Sequence, residues 1–462
     1  MSTRFKSSTS KLLHPVAGRP LFAYTLDAVR EVKPDRIVVV YGKMTEGLRE
    51  RFPELEYVRQ PEPLGTAHAV LVAVEALGEE AVDYLVLSAD VPLLTAETLS
   101  RFIAAYRERS FPLAMLIARL SDPTGYGRVI LQGSVIRRVV EEKDAGPEEK
   151  AIPFVNVGIY LMAGEGLAED LRRIGKENVA GEYYLPDLVE IRPSFAVELR
   201  DPLEMQGVNT RQDLARVEGE VQRRLREALM VGGVTLEDPE AVYLDYGVRV
   251  ENDVVLRPGT ILRGETTVGQ GSVIGPFSEL IDTKVGRNCT VVMSQLEGAV
   301  LEDGVRVGPF AHLRPGSLLR QGAKVGNFVE VKKSVLGPGV KANHLAYLGD
   351  AEVGEGTNVG AGTITCNYDG FMKHRTVIGR HAFIGSDTIL VAPVKVGDGA
   401  ITGAGSVITQ DVPPGALGIE RSKQKNVEGF AEEYRKKKQR EKEERQGKAM
   451  GSGAEKGSGE AP

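Results

Sequence analysis

The feature that most constrains the fold of this chain is an aliphatic residue that recurs every six positions in its second half. The first unbroken run comprises Val250, Leu256, Leu262, Val268, Ile274 and Leu280. Two further runs keep the same step, namely Val307, Leu313, Leu319, Val325 and Val331, and then Ile378, Ile384, Leu390 and Val396. Such a repeat predicts a parallel β-helix, in which stacked aliphatic side chains fill the interior and glycines serve the corners.

The six-residue register breaks between Val331 and Ile378. This interval contains His344 and the polar stretch CNYDG at 366–370. Interruptions in a solenoid usually emerge as loops on one face, and such loops often carry function. An insertion that is merely tolerated is the alternative interpretation.

The first 210 residues follow a different pattern, in which short apolar runs alternate with amphipathic segments. The runs at 36–42, 84–94 and 112–120 predict strands, and the segments at 67–77 and 96–109 predict helices. This alternation favours a parallel, doubly wound α/β sheet. Apolar residues at helical spacing over 210–230, before the glycine pair at 232–233, predict a linker helix.

We therefore expect an α/β domain over 1–211, a linker helix over 212–232, a β-helix domain over 233–429 and a charged tail over 430–462. The tail begins FAEEYRKKKQREKEERQ and ends in Gly, Ser, Ala and Glu, so it is predicted to be disordered. Neighbouring glutamates offset the charge of RKKKQR, which favours a solvated tail over a nucleic-acid site.

The charge balance and the cysteines narrow the classes of partner. The chain of 462 residues has 58 basic and 64 acidic residues, a net charge of -6, which gives no general attraction to nucleic acid or to an anionic membrane. Its two cysteines, Cys289 and Cys366, have no paired spacing and fit a reducing compartment. Without a secretory segment or a run of about 20 apolar residues, we expect a cytoplasmic protein.

Polar residues follow several predicted elements of the first half. Gly65 and Thr66 open a predicted helix, where backbone N–H groups suit an anionic or heteroaromatic ligand. Asp90 ends a buried strand and so lies at the carboxyl edge of the sheet, where α/β proteins bind ligands. A carboxylate there predicts a magnesium ligand, and a helix cap or loop acid is the alternative that remains open.

The motifs, taken in order, resemble a known family. The most specific ones are SKLLHPVAGRPL (10–21), DPTGYGR (122–128), LRPG (313–316), GNFVEVKKS (326–334), NHLAYLGDAEVG (343–354) and NVGAGTITCNYDG (358–370). Over 2–429 the chain resembles the bacterial bifunctional family that joins a UDP-N-acetylglucosamine pyrophosphorylase to a glucosamine-1-phosphate N-acetyltransferase in cell-wall precursor synthesis. The resemblance implies a Rossmann-like α/β nucleotidyltransferase domain followed by a left-handed parallel β-helix of hexapeptide repeats.

By this resemblance the first domain uses UTP and Mg²⁺ to transfer a uridylyl group to N-acetylglucosamine 1-phosphate, releasing pyrophosphate. The implied metal ligands are Asp90 and Asn209. Lys11 is implied to meet the nucleotide phosphates. The other implied residues are Gln60, Gly65 and Thr66 at the uracil, Ser88 and Ala89 beside the nucleotide, and Gly127, Glu141 and Asn156 at the N-acetylglucosamine.

The chain departs from that family at its beginning. The family opens with a strand and a glycine-rich loop of the form L-x-x-G-x-G-T-R-M, of which MSTRF retains only Thr3, Arg4 and Phe5. Because such a loop cradles triphosphate with backbone N–H groups, we expect the chain as written to transfer the uridylyl group at least about a hundredfold more slowly. The otherwise complete motif set favours a start assigned too far downstream over a truncation.

In the second half the resemblance implies that acetyl-CoA acylates the amine of glucosamine 1-phosphate. His344 is the implied general base, a role that suits a side chain that titrates near neutral pH. Glu330 is predicted to orient the imidazole, by analogy with other acid–histidine pairs. A buried structural histidine is the alternative.

The remaining implied residues of this half bind the two substrates. Arg314 and Lys332 are predicted at the sugar phosphate, with Tyr347 and Asn358 at the sugar. The residues predicted at acetyl-CoA are Ala361, Asn367, Tyr368, Ser386, Ala404 and Arg421. The family forms homotrimers with active sites between chains, which implies that Lys373 acts across a subunit boundary.

Two functions from other classes compete with this one. The first is a nucleotidyltransferase with a single activity, in which the β-helix only holds subunits together. The second is a non-catalytic regulatory subunit with the same two domains. NHLAYLGD and CNYDG argue against both, because neither needs a general base beside a cofactor loop. The departure at the start leaves a third alternative, an acetyltransferase without uridylyl transfer.

Overall fold

The structure, a computed structural model, describes residues 5–78 and 82–451 of the chain. An α/β domain comes first, a long helix follows it, a parallel β-helix comes next and a second long helix ends the described part. None of the helices within these residues is long and apolar enough to cross a membrane.

The α/β domain contains ten short strands and six α-helices within the described residues. The strands are β1 (Pro15–Val16), β2 (Arg19–Pro20), β3 (Val38–Tyr41), β4 (Glu56–Arg59), β5 (Asp83–Val86), β6 (Leu113–Arg119), β7 (Arg128–Gln132), β8 (Val135–Val140), β9 (Phe154–Ala163) and β10 (Ser194–Glu198). The helices are α1 (Leu21–Glu31), α2 (Leu48–Arg51), α3 (Thr66–Leu77), α4 (Ala96–Arg107), α5 (Pro147–Lys150) and α6 (Leu167–Arg172). The three predicted strands and two predicted helices are present, although β5 ends at Val86 and not at the predicted residue 94.

The main sheet of this domain is mixed, so the prediction of a parallel sheet is wrong. Its order is β5-β9-β6-β10-β8-β7, and β6 and β10 are the parallel neighbours in it. The strands β3 and β4 form a separate parallel pair. The prediction failed because β7 and β8 form a hairpin and β9 enters between β5 and β6, which an alternating pattern does not reveal.

Both faces of the sheet are covered, which explains the unbroken apolar run of β6. Leu113, Met115 and Ile117 of that strand share a core with α3 and α6 on one face. Ala114 and Leu116, which point the other way, share a core with α4. The domain also contains short 3₁₀ helices at Lys11–Leu13, Lys43–Thr45, Leu185–Glu190 and Pro202–Met205, and a further one follows at Pro239–Ala241.

Helix α7 (Arg211–Val231) lies where the linker helix is predicted and contacts both halves of the chain. It begins with a capping box, in which the Thr210 hydroxyl accepts from the Asp213 N–H and the Asp213 carboxylate accepts from the Thr210 N–H. Gln222 exchanges two hydrogen bonds with the backbone of Leu244, in the β-helix. Arg224 donates to the carbonyl of Leu93, in the α/β domain.

The β-helix is built from strands of two to four residues. In chain order they are β11 (Thr235–Leu236), β12 (Tyr243–Leu244), β13 (Arg249–Val250), β14 (Val255–Leu256), β15 (Ile261–Arg263), β16 (Thr267–Val268), β17 (Val273–Ile274), β18 (Glu279–Ile281), β19 (Lys284–Val285), β20 (Thr290–Val291), β21 (Gln295–Glu297), β22 (Val300–Leu301), β23 (Arg306–Val307), β24 (His312–Leu313) and β25 (Leu318–Leu319). The series continues with β26 (Lys324–Asn327), β27 (Glu330–Lys332), β28 (Val335–Leu336), β29 (Lys341–His344), β30 (Tyr347–Gly349), β31 (Ala351–Val353), β32 (Asn358–Val359), β33 (Ile364–Cys366), β34 (Thr376–Ile378), β35 (Phe383–Ile384), β36 (Ile389–Val391), β37 (Val394–Val396), β38 (Ile401–Thr402), β39 (Val407–Ile408) and β40 (Leu417–Gly418).

These strands form three parallel sheets, because every third strand pairs with the one a coil earlier. The first sheet runs from β11 through β26, β29, β32, β35 and β38 to β40, the second from β12 to β39, and the third from β13 to β37. The aliphatic residues of the six-residue repeat are buried in one continuous core between the sheets. The prediction of a parallel β-helix is therefore confirmed.

The coils continue through the interval in which the six-residue count fails. Two steps of five residues shift the count, and the buried residues there are Leu336, Ala342, Leu348, Val353, Val359 and Thr365. His344 therefore ends a regular strand, β29, and does not lie in a loop as predicted. A true insertion occurs once in this interval, at 367–375, between β33 and β34.

One corner of the β-helix, between the first and second sheets, differs from the others in its residues. Residues with a positive φ recur there on successive coils, at Gly259, Phe277, Met293, Phe310, Phe328, Leu345, Gly362, Asp387 and Gly405. At the corner that leads into the first sheet most such residues are Gly, Asp or Asn, as sterics favour. We call Phe277, Phe310, Phe328 and Leu345 the apolar corner. All four side chains are more than half exposed.

Helix α8 (Phe430–Gly451) occupies the first part of the predicted disordered tail. The structure thus differs from the prediction over 430–451, whereas 452–462 lie outside the described residues. Side-chain pairs one turn apart, such as Lys438 with Glu441 and Gln439 with Glu443, favour the helix. The side chains of the helix that the structure describes are nearly all exposed.

Candidate active sites

Three polar residues from distant parts of the α/β domain meet at one point. Lys11 lies in the 3₁₀ turn Lys11–Leu13, Asp90 in the turn after β5, and Asn209 just before α7. The Lys11 ammonium donates a short hydrogen bond to Asp90 Oδ2 and another, of 2.8 Å, to Asn209 Oδ1. The Asn209 backbone N–H is in turn held by the Asp213 carboxylate of the capping box, at 3.1 Å.

The donor set at this point fits a magnesium ion. Asp90 and Asn209 both present oxygen atoms to one cationic group, and Mg²⁺ prefers one or two such protein ligands together with phosphate oxygens and water. No cluster of three or more His, Cys, Asp or Glu side chains that could hold a metal occurs within residues 5–78 and 82–451. The phosphates of a nucleotide would therefore have to complete the coordination.

The residues predicted at the uracil lie together at the start of α3. Gln60 Nε2 donates to the carbonyl of Gly65 at 3.2 Å, and the Thr66 hydroxyl accepts from the Leu185 N–H at 3.0 Å. Gly65 has φ 123°, and a methyl group on it would lie 2.4 Å from the Tyr183 carbonyl oxygen. This close approach requires glycine and fixes the loop against the helix start.

Gly127, Glu141 and Asn156, predicted at the N-acetylglucosamine, are also neighbours. The Asn156 N–H donates to the Gly127 carbonyl at 2.9 Å, and a methyl group on Gly127 would lie 2.9 Å from Glu141 Oε1. Burial, followed by the charges of Asp187 and Asp144, raises the pKa of the Glu141 carboxyl. This group of residues therefore carries a partly desolvated acceptor, the Glu141 carboxylate, next to a glycine.

Ser88 and Ala89 lie next to Asp90 in the chain and close to β9. A methyl group on Gly158 would lie 3.9 Å from Ser88 Oγ, and the Ala89 carbonyl accepts from the Thr25 hydroxyl at 3.3 Å. The loop after β5 therefore lies against β9 and α1. Thr3 and Arg4, the other residues predicted here, lie outside the described residues.

His344 is exposed, and its ring is held by Asn327. Nδ1 of the imidazole lies 2.7 Å from Asn327 Oδ1, and the two residues occupy paired positions in β29 and β26. An amide oxygen can only accept, so Nδ1 carries the hydrogen of this bond and Nε2 keeps a free lone pair. The hydrogen bond to Asn327 therefore fixes the tautomer of the His344 imidazole, which can act as a base on the surface of the first sheet.

Within a single chain, Glu330 does not orient His344 as predicted. Glu330 lies in β27, on the second sheet, where its carboxylate accepts from Arg314 Nη1 at 2.9 Å. His344 lies on the first sheet, so its partner comes from the same register position one coil earlier. Asn327 could have been found from the sequence by counting back one coil of 17 residues from His344.

Arg314 and Lys332 lie side by side on the second sheet. The residues that precede them, Leu313 and Val331, are register partners in β24 and β27. The positive charge of Arg314, and then that of Lys373, lowers the pKa of the Lys332 ammonium. Three cations therefore converge within a single chain, which suits a doubly charged phosphate.

Tyr347 and Asn367 lie on either side of the next position in this column, Gly349. A methyl group on Gly349 would lie 2.5 Å from the Tyr347 hydroxyl oxygen and 2.7 Å from Asn367 Nδ2. The Asn367 amide donates to Asp350 at 2.5 Å and is almost completely buried. Asn358 opens β32, where its register partners are Lys341 and Phe383.

The predicted acetyl-CoA residues form a column above His344. By the pairings of β29, β32, β35 and β38, the position of His344 corresponds to those of Ala361, Ser386 and Ala404 on the next three coils. Arg421 Nη1 donates to the Ala404 carbonyl at 3.1 Å and so closes the column. Three coil steps of about 4.8 Å place Ala404 some 14 Å from His344.

The insertion at 367–375 forms a small hairpin with an exposed tip. Tyr368 and Lys373 form an antiparallel bridge. The Asp369 carboxylate accepts from the N–H groups of Phe371 and Met372 and from His374 Nε2 at 2.6–2.8 Å. These bonds, that of Met372 first, hold the pKa of Asp369 well below its usual range. Phe371 at the tip is 93% exposed.

Comparisons with known proteins agree with both halves. The profile of the MobA-like NTP transferase domain matches residues 1–174, and that of the bacterial transferase hexapeptide, with six repeats, matches residues 375–410. The bifunctional protein GlmU of Thermus thermophilus is 50% identical over 438 residues, which cover 93% of this chain and 96% of that protein. The chain belongs to the GlmU family.

Other GlmU proteins match over the same extent. The bifunctional protein GlmU of Thermotoga petrophila is 44% identical over 94% of this chain and 97% of its own length. That of Halalkalibacterium halodurans is 43% identical over 93% and 96%. This chain is thus a bifunctional enzyme, a nucleotidyltransferase and an acetyltransferase of cell-wall precursor synthesis, and the alternatives of an inert β-helix or a regulatory subunit are excluded.

Most residues predicted from the resemblance to the GlmU family lie in two groups. Lys11, Asp90 and Asn209 meet in one group, and His344 lies with the acetyl-CoA column in the other. Sequence reasoning missed Asn327, Asp369 and the buried Arg128. The register of the β-helix predicts Asn327, and the turn-forming sequence Asp-Gly-Phe at 369–371 predicts Asp369. The contacts of Arg128, in contrast, depend on loops that no local pattern places together.

Proposed function

We propose that the uridylyl transfer takes place where Lys11, Asp90 and Asn209 meet. The observation that carries this proposal is the pair of hydrogen bonds from one ammonium group to two oxygen ligands. Phosphoryl chemistry depends mainly on positioning and on neutralising charge, which these residues can supply. Lys11 would turn toward the nucleotide phosphates, and Asp90 and Asn209 would hold Mg²⁺.

The role of a bound Mg²⁺ would be to neutralise charge on the phosphates of UTP and to orient them. The residues of this chain would do the rest. Gln60, Gly65 and Thr66 would read the uracil, while Glu141, Gly127 and Asn156 would bind the N-acetyl sugar. The phosphate of N-acetylglucosamine 1-phosphate attacks the α-phosphorus of UTP, the bond to the β-phosphate breaks, and pyrophosphate leaves.

For the acetyl transfer we propose His344 Nε2 as the general base. The amine of glucosamine 1-phosphate arrives as an ammonium group, and Nε2 takes one of its protons. The free amine attacks the thioester carbon, the C–N bond forms and the C–S bond breaks, and the second proton that the nitrogen loses passes to the departing sulfur, which leaves as the CoA thiol. Asn327 keeps the proton on Nδ1, so that the lone pair of Nε2 faces the substrate.

The substrates of this step would bind around the corner next to His344. Arg314 and Lys332 would hold the sugar phosphate, and Tyr347 and Asn358 the sugar. Acetyl-CoA would lie along the column of Ala361, Ser386, Ala404 and Arg421, with Asn367 and Tyr368 at its acetyl end. The length of the column, about 14 Å, matches an extended cofactor arm.

We also propose that three copies of the chain associate through the apolar corner. Bulky residues at a positive φ cost about 1–2 kcal/mol each, which a buried contact can offset. The Phe310 and Phe328 rings stack at 5.4 Å and extend the surface next to His344, so that a second copy would complete the acetyl site. Because the reactions use UTP and acetyl-CoA, we also propose that the enzyme works in the cytoplasm.

A coupled assay tests the proposed function. Glucosamine 1-phosphate, acetyl-CoA, UTP and Mg²⁺ should give UDP-N-acetylglucosamine with one CoA and one pyrophosphate per turnover, in the order acetylation and then uridylyl transfer. N-acetylglucosamine 1-phosphate alone with UTP should give pyrophosphate without CoA. Release of pyrophosphate from unacetylated glucosamine 1-phosphate at the same rate would contradict the order.

The trimer can be tested without adding strain to the fold. Asparagine tolerates a positive φ, so Phe310→Asn with Phe328→Asn should keep the β-helix folded while removing the contact surface. Light scattering should then show a single chain in place of three. A trimer of unchanged stability in the double variant would contradict the assignment of this corner.

A further inference from the structure

Arg128 is a buried charge that the two proposed reactions do not use. It opens β7, where its backbone pairs with Val140 of β8 and Val155 of β9. Its side chain is only 2% exposed. A buried guanidinium must find partners for its N–H groups, because burial without them is costly.

The partners of Arg128 come from the two loops that flank the β7–β8 hairpin. Nη2 lies 2.7 Å from Glu142 Oε2, Nε donates to the Lys150 carbonyl at 3.3 Å, and Nη1 donates to the Tyr126 carbonyl. The same Glu142 oxygen also accepts from the Gly125 N–H, at 3.2 Å. One ion pair therefore ties the loop at 122–127 to the loop at 141–150.

The residues next to this pair in the chain are two of those proposed to bind N-acetylglucosamine. Gly127 precedes Arg128 and Glu141 precedes Glu142, so the pair holds the backbone next to both residues. The gap between Gly127 and the Glu141 carboxylate is narrow, since a methyl group on Gly127 would lie 2.9 Å from Glu141 Oε1. A shift of either loop would change the distance between two sugar-binding groups.

We propose that Arg128 and Glu142 are positioning residues that set the spacing of Gly127 and Glu141 for the sugar. This inference rests on the proposed role of these two residues in binding N-acetylglucosamine. The pair acts through geometry, because its hydrogen bonds hold the backbone at Gly125, Tyr126 and Lys150. Its loss should weaken sugar binding and leave UTP binding unchanged.

The domain contains a matched control for the loss of a buried ion pair. Arg192 is 5% exposed, pairs with Asp170 at 2.7 Å, and donates to the carbonyls of Ala163 and Glu165. It has the same kind of contacts as Arg128 but joins α6 to the far end of β9. Asp170→Asn therefore reports the cost of weakening such a pair away from the sugar.

The experiment compares Glu142→Gln with Asp170→Asn in the full chain. Glu142→Gln should raise the KM for N-acetylglucosamine 1-phosphate about tenfold to a hundredfold, with kcat and the KM for UTP changed by less than about threefold. Glu142→Ala should have a larger effect, because it also removes the acceptor of the Gly125 N–H. Arg128→Lys, which keeps the charge, should lie between wild type and Glu142→Ala.

Direct binding provides a readout that does not depend on turnover. By calorimetry, Glu142→Gln should weaken the affinity for UDP-N-acetylglucosamine by the same factor and leave that for UTP unchanged. Acetyl transfer by the same chain and its melting curve report folding. If Glu142→Gln only lowers stability and matches Asp170→Asn in every kinetic constant, the positioning role is refuted. If the wild-type enzyme binds no UDP-N-acetylglucosamine, the proposed function itself fails.

Discussion

The two proposed active sites of this chain are assembled in opposite ways. The proposed uridylyl site joins Lys11 to Asp90 and Asn209, which lie 79 and 198 residues further along the chain, through the packing of a mixed sheet. The proposed acetyl site takes His344, Ala361, Ser386 and Ala404 from one column of successive coils. The positions of the residues in the first site depend on the fold of the whole domain. In the second site they follow from the number of residues in each coil of the repeat.

The largest expected effect that separates the two sites is that of His344→Ala. Without the base, acetyl transfer should fall by roughly 10² to 10⁴, the usual contribution of a positioned proton acceptor. Uridylyl transfer should not change, because the residues proposed for it lie in the α/β domain and not in this column. Single-turnover release of CoA, measured beside a melting curve, provides the test.

His381→Asn is a matched control, since His381 lies on the same β-helix at another corner, with φ 53°. It should leave both activities intact. A His344→Ala enzyme that is destabilised but still acetylates at the normal rate would make His344 a structural residue.

The converse effect is expected for Asp90→Ala. Loss of a metal ligand should slow uridylyl transfer by about 10² to 10³ and spare acetyl transfer. Pyrophosphate release at several Mg²⁺ concentrations measures it. Asp83→Asn, at the other end of β5, is the control and should have little effect, because the amide oxygen can still accept from Tyr106. Equal rates for Asp90→Ala and wild type would remove this residue from the site.

A smaller effect distinguishes Asn327 from Glu330 as the partner of His344. Asn327→Ala should lower acetyl transfer about tenfold, because the imidazole loses the partner that fixes its tautomer. Asn327→Asp should move the acidic limb of the pH–rate profile to higher pH, since a carboxylate stabilises the imidazolium. Glu330→Gln should leave this profile in place. A profile that shifts with Glu330→Gln and not with Asn327→Asp would restore the original assignment of Glu330.

The smallest expected effect concerns stability and belongs to the α/β domain. Burial, and then the charge of Glu190, raises the pKa of Asp187 from 3.8 to about 6. The folded state therefore binds this proton more tightly, so the contribution to stability is present below pH 4 and is lost as the pH rises through about 6. Asp187→Asn should raise the free energy of unfolding at pH 8 by roughly 1 kcal/mol, after solvent screening, and not at pH 4. An equal gain at both pH values in denaturant unfolding would contradict this sign.

The contrast between the sites also explains what could be predicted from the sequence. The repeat of Val307, Leu313 and Leu319 predicts both the β-helix and the interior position of each residue, since one count determines all three sheets. The same counting locates Asn327 beside His344, whereas analogy with other acid–histidine pairs led to Glu330, on a different sheet.

In the α/β domain, local patterns found β3, β5, β6, α3 and α4 but not their pairing. The insertion of β9 between β5 and β6 depends on contacts between residues that are 35 (Arg119 and Phe154) to 80 (Asp83 and Ala163) positions apart, which periodicity does not encode. The contacts of Arg128 have the same origin. The helix at 430–451 escapes prediction for another reason. Its high charge is typical of a disordered segment, whereas the spacing of its charges favours a helix.

The column above His344 has a consequence for how such an enzyme can change its substrate. Each coil adds about 4.8 Å, so the distance from the base to Arg421 is quantised and can lengthen or shorten only by a whole coil. Removal of the coil that holds Ser386 should select a thioester carrier shorter by that amount, and duplication of it a longer one. The β-helix therefore sets the length of the thioester carrier that it accepts in steps of one coil.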